Sequence, residues 1–276
     1  GGPEEGLCAS GHAVDNDGVA TIIYLGIPGG ICIATSEDDD LVGWTKHTDA
    51  VIPVSKPGEP VHGKYSLGDP TMWKEGAWWY ALCGGKDPEG GDACSLFKSK
   101  DTLNWTFVHA FYKSDRRWTS VEDDCACPDY SPLGNRHLLL FHSHQTGVQY
   151  YLGDQKGESF YPEIHGYMNW AGGQLNAPIT MLDGKGRRLF WGWVCEARPM
   201  IVQRQAAWAG AFSLPRVLDL ASDGGLTIEP TPELTVLRYN LRTWSAVRLE
   251  ADGEFSLDSV RGDALEQQGD GAAIRR

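Results

Sequence analysis

Residues 69–83 read DPTMWKEGAWWYALC and indicate the fold class most clearly. An apolar run ending in Trp73 is followed by a turn at Lys74-Glu75-Gly76 and by an aromatic run from Ala77 to Cys83. Two short apolar runs joined by a glycine-containing turn are typical of β-strands. A third run from Ser95 to Ser99 and a Trp105-Thr106 step complete the unit. The stretch therefore predicts one unit of consecutive short strands.

The same order of strand, turn, aromatic strand and short strand recurs along the chain. Its units begin near Ser10, Asp69, Cys127 and Ala177, at intervals of roughly 50 to 60 residues. A repeat of this length with about four short strands is typical of a β-propeller blade, although a solenoid or a β-sandwich is an alternative. We therefore predict an all-β chain with four blades, whose first strands converge on one axis.

The character of the sequence changes after Pro215. Residues 226–234 resemble a strand that enters a linker, and only weak alternation follows at Phe255-Ser256-Leu257. We expect residues 1–234 to form the propeller domain. Residues 235–276 should form a linker and the truncated start of a second β domain.

Composition and charge narrow the kinds of partner. The formal net charge of −13 would repel a phosphate backbone, so nucleic acid is not expected to bind. No stretch approaches the roughly 18 apolar residues that a membrane-spanning helix needs. Acidity together with 11 Trp and 10 Tyr residues suits a neutral polar ligand such as a sugar. Solubility alone would also explain the charge, and the sequence predicts no oligomeric state.

The cysteines and the first residues bear on the compartment. The chain has seven cysteines, an odd count that does not indicate a disulfide framework. Reduced thiols in the cytoplasm are the simpler expectation. Gly1-Gly2-Pro3-Glu4-Glu5 contains no initiator Met and resembles a cut start, so a secreted protein is an alternative.

An ordered set of motifs resembles those of glycoside hydrolase family 32, the invertases, levanases, inulinases and sucrose-6-phosphate hydrolases. The resemblance extends along nearly the whole chain. Its motifs are Ser10-Gly11-His12-Ala13-Val14 for the family's Ser-Gly-Ser-Ala-Val, Gly68-Asp69-Pro70 for Arg-Asp-Pro, Cys127-Pro128-Asp129 for the end of Glu-Cys-Pro-Asp, Arg187 to Trp193 for Arg-Arg-Ile-Leu-Trp-Gly-Trp, and Trp208 to Arg216 for the run that ends in Ser-Leu-Pro-Arg.

The resemblance implies a five-bladed β-propeller followed by a β-sandwich, with about four blades in this chain. It also implies a retaining hydrolase that cleaves terminal β-fructofuranosyl linkages in sucrose or fructans, without a cofactor or a metal. The family's nucleophile lies in an Asn-Asp-Pro-Asn-Gly motif on its first blade, and this motif occurs nowhere in the chain. We therefore expect blades two to five, and a chain that is inactive alone.

The resemblance assigns the catalytic candidates. Asp69 takes the role of the carboxylate that stabilises the transition state, although a strand-capping turn Asp is the plainer alternative. The family's acid/base Glu corresponds to Ala126, which has no proton to give. Glu122 and Asp123 are therefore the candidates for this role, with Asp124 third, because neighbouring carboxylates repel and raise a pKa. A solvated acidic turn is the alternative for all three.

Five further residues are predicted to contact the substrate: Ser10, His12, Cys127, Asp129 and Glu196. His12 could equally be a structural histidine. Zinc binding by Cys125 and Cys127 with two nearby histidines is not expected, because a Cys-x-Cys spacing is too short for the usual zinc knuckle.

Two alternative functions remain at this stage. The first is a family 43 arabinosidase, which would share the propeller and the three-carboxylate arrangement but bind another sugar. The second is a non-catalytic carbohydrate-binding propeller, which Ala126 and Gly68 would suit. The expected substrate of the leading hypothesis is sucrose or a fructo-oligosaccharide.

Overall fold

The computed structural model describes residues 6–47, 49–169 and 175–239. The chain divides into two compact units, Gly1–Pro232 and Glu233–Arg276. The first unit holds all the strands described below. Residues 240–276, which carry most of the predicted start of the β-sandwich, lie outside the described residues.

The first unit consists of four antiparallel sheets, each built from consecutive strands. Blade one contains β1 Leu7–Asn16, β2 Val19–Ile27, β3 Gly30–Ser36, β4 Thr45–Lys46 and β5 Ile52–Pro53; blade two contains β6 Pro70–Glu75, β7 Trp78–Lys86, β8 Asp92–Ser99 and β9 Thr106–Lys113; blade three contains β10 Ala126–Leu133, β11 Arg136–Ser143, β12 Gly147–Lys156 and β13 Ser159–Tyr167; blade four contains β14 Leu175–Leu182, β15 Arg188–Val194, β16 Ala211–Phe212, β17 Arg216–Leu220 and β18 Leu226–Pro230.

Tight turns close the inner hairpins. Asp17 and Gly18 both adopt positive φ, at 55° and 92°, between β1 and β2. Two consecutive residues with positive φ form the turn whose twist matches a two-residue hairpin. The Asp15 carboxylate accepts the Gly18 N–H at 2.6 Å and fixes this turn.

The sheets follow one another as the blades of a propeller. The first strand of each blade contacts the first strand of the next, so that β1 meets β6, β6 meets β10, and β10 meets β14. The predicted starts near Ser10, Asp69, Cys127 and Ala177 each fall within or next to one of these strands. The prediction of an all-β propeller with four blades is confirmed.

Three apolar clusters fill the three interfaces between neighbouring blades. Strand alternation supplies both sides, because successive side chains point to opposite faces. In β7, Leu82 joins the cluster between blades two and three, whereas its neighbours Ala81 and Cys83 join the cluster between blades one and two. In β11, Leu139 faces blade two and Leu140 faces blade four. Each blade is thus packed against the next blade along the chain.

Two short helices lie outside the sheets. Helix α1, Met200–Ala206, lies between β15 and β16 and has no buried residue, and a 3₁₀ helix spans Pro232–Leu237. Within the described part of the chain, neither is long and apolar enough to cross a bilayer.

Candidate active site

Irregular strand pairing marks the same end of the first strand in three blades. The register shifts between Cys8 and Gly11 in β1, between residues 126 and 129 in β10, and between residues 176 and 179 in β14. Cys127 and Ala177 both have φ of 46° within these bulges. A bulge bends its strand and redirects the side chains beside it. Residues in or next to all three bulges line one cavity.

A close backbone approach sets the position of Asp69 in blade two. The Gly68 N–H donates to the carbonyl of Gly84 at 2.8 Å, and a Cβ added to Gly68 would lie 2.7 Å from that same oxygen. Glycine is therefore the residue that fits where the family carries Arg. Next to Gly84, the carbonyl of Gly85 accepts a hydrogen bond from the Cys125 N–H at 2.9 Å. This bond brings blade three against the end of β7.

The cavity at this end of the blades has a volume of about 250 Å³. All four blades contribute to its wall, which combines two carboxylates with aromatic and small side chains. Its side chains include Ser10, His12, Asp69, Thr71, Cys127, Asp129, Ile179, Trp191, Trp193 and Phe212. No lysine or arginine belongs to the lining that the described residues form.

Asp69 lines the cavity and keeps one carboxylate oxygen without a partner among the described residues. Its Oδ2 accepts a hydrogen bond from the Cys127 Sγ at 3.1 Å, whereas Oδ1 is buried with no hydrogen-bond partner among the described residues. A buried acceptor without a donor is costly, and a ligand hydroxyl would satisfy it. Burial, and then the nearby Asp69 charge, raise the pKa of Cys127 well above its usual range. Cys127 therefore remains a neutral thiol that holds Asp69 in place.

His12 also lines the cavity and carries a second buried polar atom without a partner among the described residues. Its Nδ1 is buried and has no partner among the described residues, while the ring also makes a hydrogen bond to the Met72 backbone. Burial lowers the pKa of His12, although the Asp129 carboxylate opposes this effect. The imidazole is therefore neutral at pH 7 and can accept or donate a hydrogen bond to a neutral ligand.

Asp129 is held by the neighbouring blade. Its Oδ2 accepts the Thr180 N–H at 2.7 Å and its Oδ1 accepts the Thr180 hydroxyl at 2.7 Å. The Arg188 guanidinium lies nearby, and burial lowers its pKa while Asp129 opposes that shift. Asp129 thus fastens blade three to blade four, with its carboxylate at the cavity wall.

The acidic loop before Cys127 lies outside the cavity lining. Both oxygens of Asp123 accept hydrogen bonds, from the Ser120 N–H and hydroxyl and from the Ser143 and Thr146 hydroxyls, at 2.6 to 2.8 Å. Burial alone would raise the pKa of Asp123, but these donors together outweigh it and lower the pKa. A carboxylate held ionised in this way is a poor proton donor.

The other two carboxylates of this loop do not belong to the cavity lining either. Glu122 is exposed, with 74% of its side chain accessible, and its nearest ionic partner is Lys86 at 3.9 Å. Asp124 accepts from the backbone and the ring of His144, at 2.9 and 2.7 Å. The structure thus brings neither Glu122 nor Asp123 together with Asp69.

The residues predicted to contact the substrate also form two groups, those that line the cavity and one that does not. Four of the five residues predicted to contact the substrate line the cavity: Ser10, His12, Cys127 and Asp129. Glu196 does not line it and instead binds Arg198 through both carboxylate oxygens, which holds the pKa of Glu196 at about 2. Arg198 in turn stacks over Trp208, 4.2 Å from the ring centroid.

The residues predicted to contact the substrate include no tryptophan. In the structure Trp191 and Trp193 line the cavity with Phe212, which is 85% exposed. The signal was available in β15, where Phe190 occupies the core and strand alternation places Trp191 and Trp193 on the other face. Trp191 is also the strand partner of Ile179, another residue of the cavity lining.

The site can therefore recognise a neutral polyhydroxy ligand. Asp69 Oδ1 and His12 Nδ1 offer unpaired polar atoms, and tryptophan rings suit the apolar face of a sugar. Among the described residues, no cluster of three or more metal-ligating side chains exists.

Comparisons with known proteins identify the family. Residues 3–230 match the N-terminal domain of glycosyl hydrolases family 32. The raffinose invertase of Escherichia coli is 29% identical over 265 residues, which cover 88% of this chain and 53% of the relative. A fructan 1-exohydrolase of Leymus chinensis is 31% identical over 232 residues, covering 75% of this chain and 38% of the relative. The solved structure of a Bombyx mori family 32 β-fructofuranosidase matches with a TM-score of 0.70 at 23% identity, covering 86% of this chain and 53% of that one.

The chain spans about half the length of the curated relatives that it matches, since it covers 53% of the invertase. The match nevertheless extends over nearly all the residues of the four blades. The chain belongs to glycosyl hydrolase family 32.

Proposed function

We propose that the cavity binds the terminal fructosyl unit of sucrose or a fructan, as part of a β-fructofuranosidase-type hydrolase. The observation that carries the proposal is that Asp69, whose Oδ1 is buried without a partner among the described residues, lines a cavity together with Trp191 and Trp193. A furanose ring presents adjacent hydroxyls that can donate to this oxygen and to His12 Nδ1. The names of the relatives, an invertase and a fructan exohydrolase, support this class of sugar.

In this proposal Asp69 orients hydroxyls of the fructosyl ring and stabilises the charge that develops during cleavage. Cys127 positions Asp69 through its thiol hydrogen bond. Retaining glycosidases need two further carboxyl groups, about 5 to 5.5 Å apart, as nucleophile and as acid/base. The other carboxylate of the described cavity lining, Asp129, already accepts two hydrogen bonds from Thr180. We therefore infer that this chain alone binds the sugar without cleaving it.

The matches reported above are to family 32 proteins, so the arabinosidase alternative is not favoured. A non-catalytic sugar-binding role would use the same cavity, and Ala126 suits it. Sugar binding is thus expected both for a hydrolase and for a non-catalytic propeller. The kind of sugar that binds distinguishes a family 32 protein from a family 43 arabinosidase.

Calorimetric titration of the 276-residue chain with sucrose, 1-kestose and an arabino-oligosaccharide tests the proposal. We expect the fructosides to bind. The Asp69→Asn variant should have a roughly 10- to 100-fold lower affinity for them, because a hydrogen bond to a charged acceptor contributes about 1.5–3 kcal/mol. Asp17→Asn is the matched control, since Asp17 lies on an exposed hairpin turn. Equal affinity in the Asp69 variant, or preference for the arabinoside, would contradict the proposal.

A further inference from the structure

Two buried thiols from different blades lie almost at bonding distance. The Sγ atoms of Cys94 in β8 and Cys125 just before β10 are 3.0 Å apart, about 1 Å longer than a disulfide bond. Cys94 is 1% exposed and Cys125 is fully buried. Their side chains thus meet inside the apolar cluster between blades two and three.

The backbone around the pair explains this approach. In the pairing of β7, Gly84 is opposite Cys94, and the next residue, Gly85, is opposite Cys125. Neither glycine places a side chain between the sulfurs. A Cβ added to Gly84 would lie 1.9 Å from the Cys125 carbonyl, so the glycine is what admits Cys125 at this position.

We propose that Cys94 and Cys125 form a disulfide bond when the protein is exposed to a peroxide. Peroxide would oxidise one thiol to a sulfenic acid and release one water. The second sulfur would then displace the hydroxyl group, form the S–S bond and release a second water. The two thiols lose two electrons and two hydrogens in total, which the peroxide takes up.

The surroundings fit the product of this reaction. The pair is packed among apolar and aromatic side chains of the cluster, and an uncharged disulfide carries no desolvation cost there. Burial also raises the pKa of Cys125 well above its usual range, so oxidation should be slow. The bond would join β8 to the segment that leads to Cys127, the thiol that holds Asp69.

Peptide mapping of the native 276-residue chain after treatment with hydrogen peroxide tests the proposal. Intact mass should fall by about 2 Da, and trypsin should yield residues 87–98 linked to residues 118–136. Fragmentation of that species should place the link at Cys125. The melting temperature should rise by roughly 5–10 °C, because the cross-link restricts the unfolded chain.

Variants then separate this bond from other oxidation. Cys94→Ser and Cys125→Ser should abolish the linked peptide, and Cys8→Ser should retain it because Cys8 is exposed and distant in sequence. A link from Cys94 to Cys83 or Cys127 would overturn the proposal. So would full alkylation of both thiols in unfolded protein that had been treated with peroxide. The map of the unmutated chain decides the matter even if a serine variant fails to fold.

Discussion

At the scale of single residues, the same side-chain type has opposite roles in this protein. Asp69 keeps one buried oxygen without a partner beside a cavity, whereas Asp123 is saturated with hydroxyl and amide donors. An unsatisfied acceptor points to a ligand, and a saturated one points to a structural role. The distinction depends on Ser143 and Thr146, which lie 20 and 23 residues along the chain from Asp123. The local sequence could not reveal those donors.

Asp123→Asn should destabilise the fold by about 2–4 kcal/mol at pH 7, because the amide nitrogen would face groups that need an acceptor. The folded-state pKa of Asp123 is lowered, so its contribution is present above the unfolded value near 4 and is lost as pH falls through the folded value. The difference in unfolding free energy between the original chain and Asp123→Asn should therefore become smaller below about pH 4. Urea unfolding at pH 7 and pH 3 measures it, with Asp17→Asn as an exposed control. A gap that stays constant with pH would contradict this role.

At the scale of elements, the repeat and the alternation of the strands predicted most of the architecture. The four predicted blade starts agree with β1, β6, β10 and β14, because apolar runs and glycine turns determine hairpins locally. The bulges were not predicted, since they depend on pairing with a partner strand and on the unusual φ of Cys127 and Ala177. Those bulges decide which side chains face the cavity. Site residues next to them were found only through the family resemblance.

Gly84→Ala tests how closely two blades approach each other. The added Cβ would lie 1.9 Å from the Cys125 carbonyl and 2.8 Å from Pro128 Cδ, so β10 would have to shift. We expect a loss of at least about 2 kcal/mol in unfolding free energy. We also expect weaker sugar binding, because Cys127 belongs to the displaced strand β10 and donates a hydrogen bond to Asp69. Chemical denaturation measures the first effect and sugar titration the second.

Gly184→Ala is the matched control for this change, because a Cβ there meets nothing within 4 Å and its φ is not positive. It should leave both measurements within about 0.5 kcal/mol of the original chain. If the two alanine variants behaved alike, the close packing of β7 against β10 would be wrong.

At the scale of the whole molecule, residues of all four blades line the cavity that we propose binds the sugar, but the groups that hydrolysis needs are not all among them. Every blade contributes to the cavity, and the three cores between blades hold its lining in place. The family's Asn-Asp-Pro-Asn-Gly motif is absent from the sequence, and Ala126 stands at the position of its acid/base Glu. The proposed function therefore separates sugar recognition from cleavage in this chain.

We predict that the purified chain releases no fructose from sucrose above the level of a buffer blank, even at high protein concentration. One carboxylate with an unpaired oxygen cannot serve as both nucleophile and proton donor. A coupled assay for free fructose over a long incubation provides the measurement. Release that disappears in Asp69→Asn would show that a second catalytic carboxylate exists within these 276 residues.

The contact between sugar and Asp69 is tested most directly by a crystal structure of the chain with bound fructose or 1-kestose. We predict that the fructosyl ring occupies the cavity, with one of its hydroxyls within about 2.5–3.0 Å of Asp69 Oδ1. A ring bound elsewhere, or an Asp69 side chain turned away from the sugar, would contradict the function derived from this site.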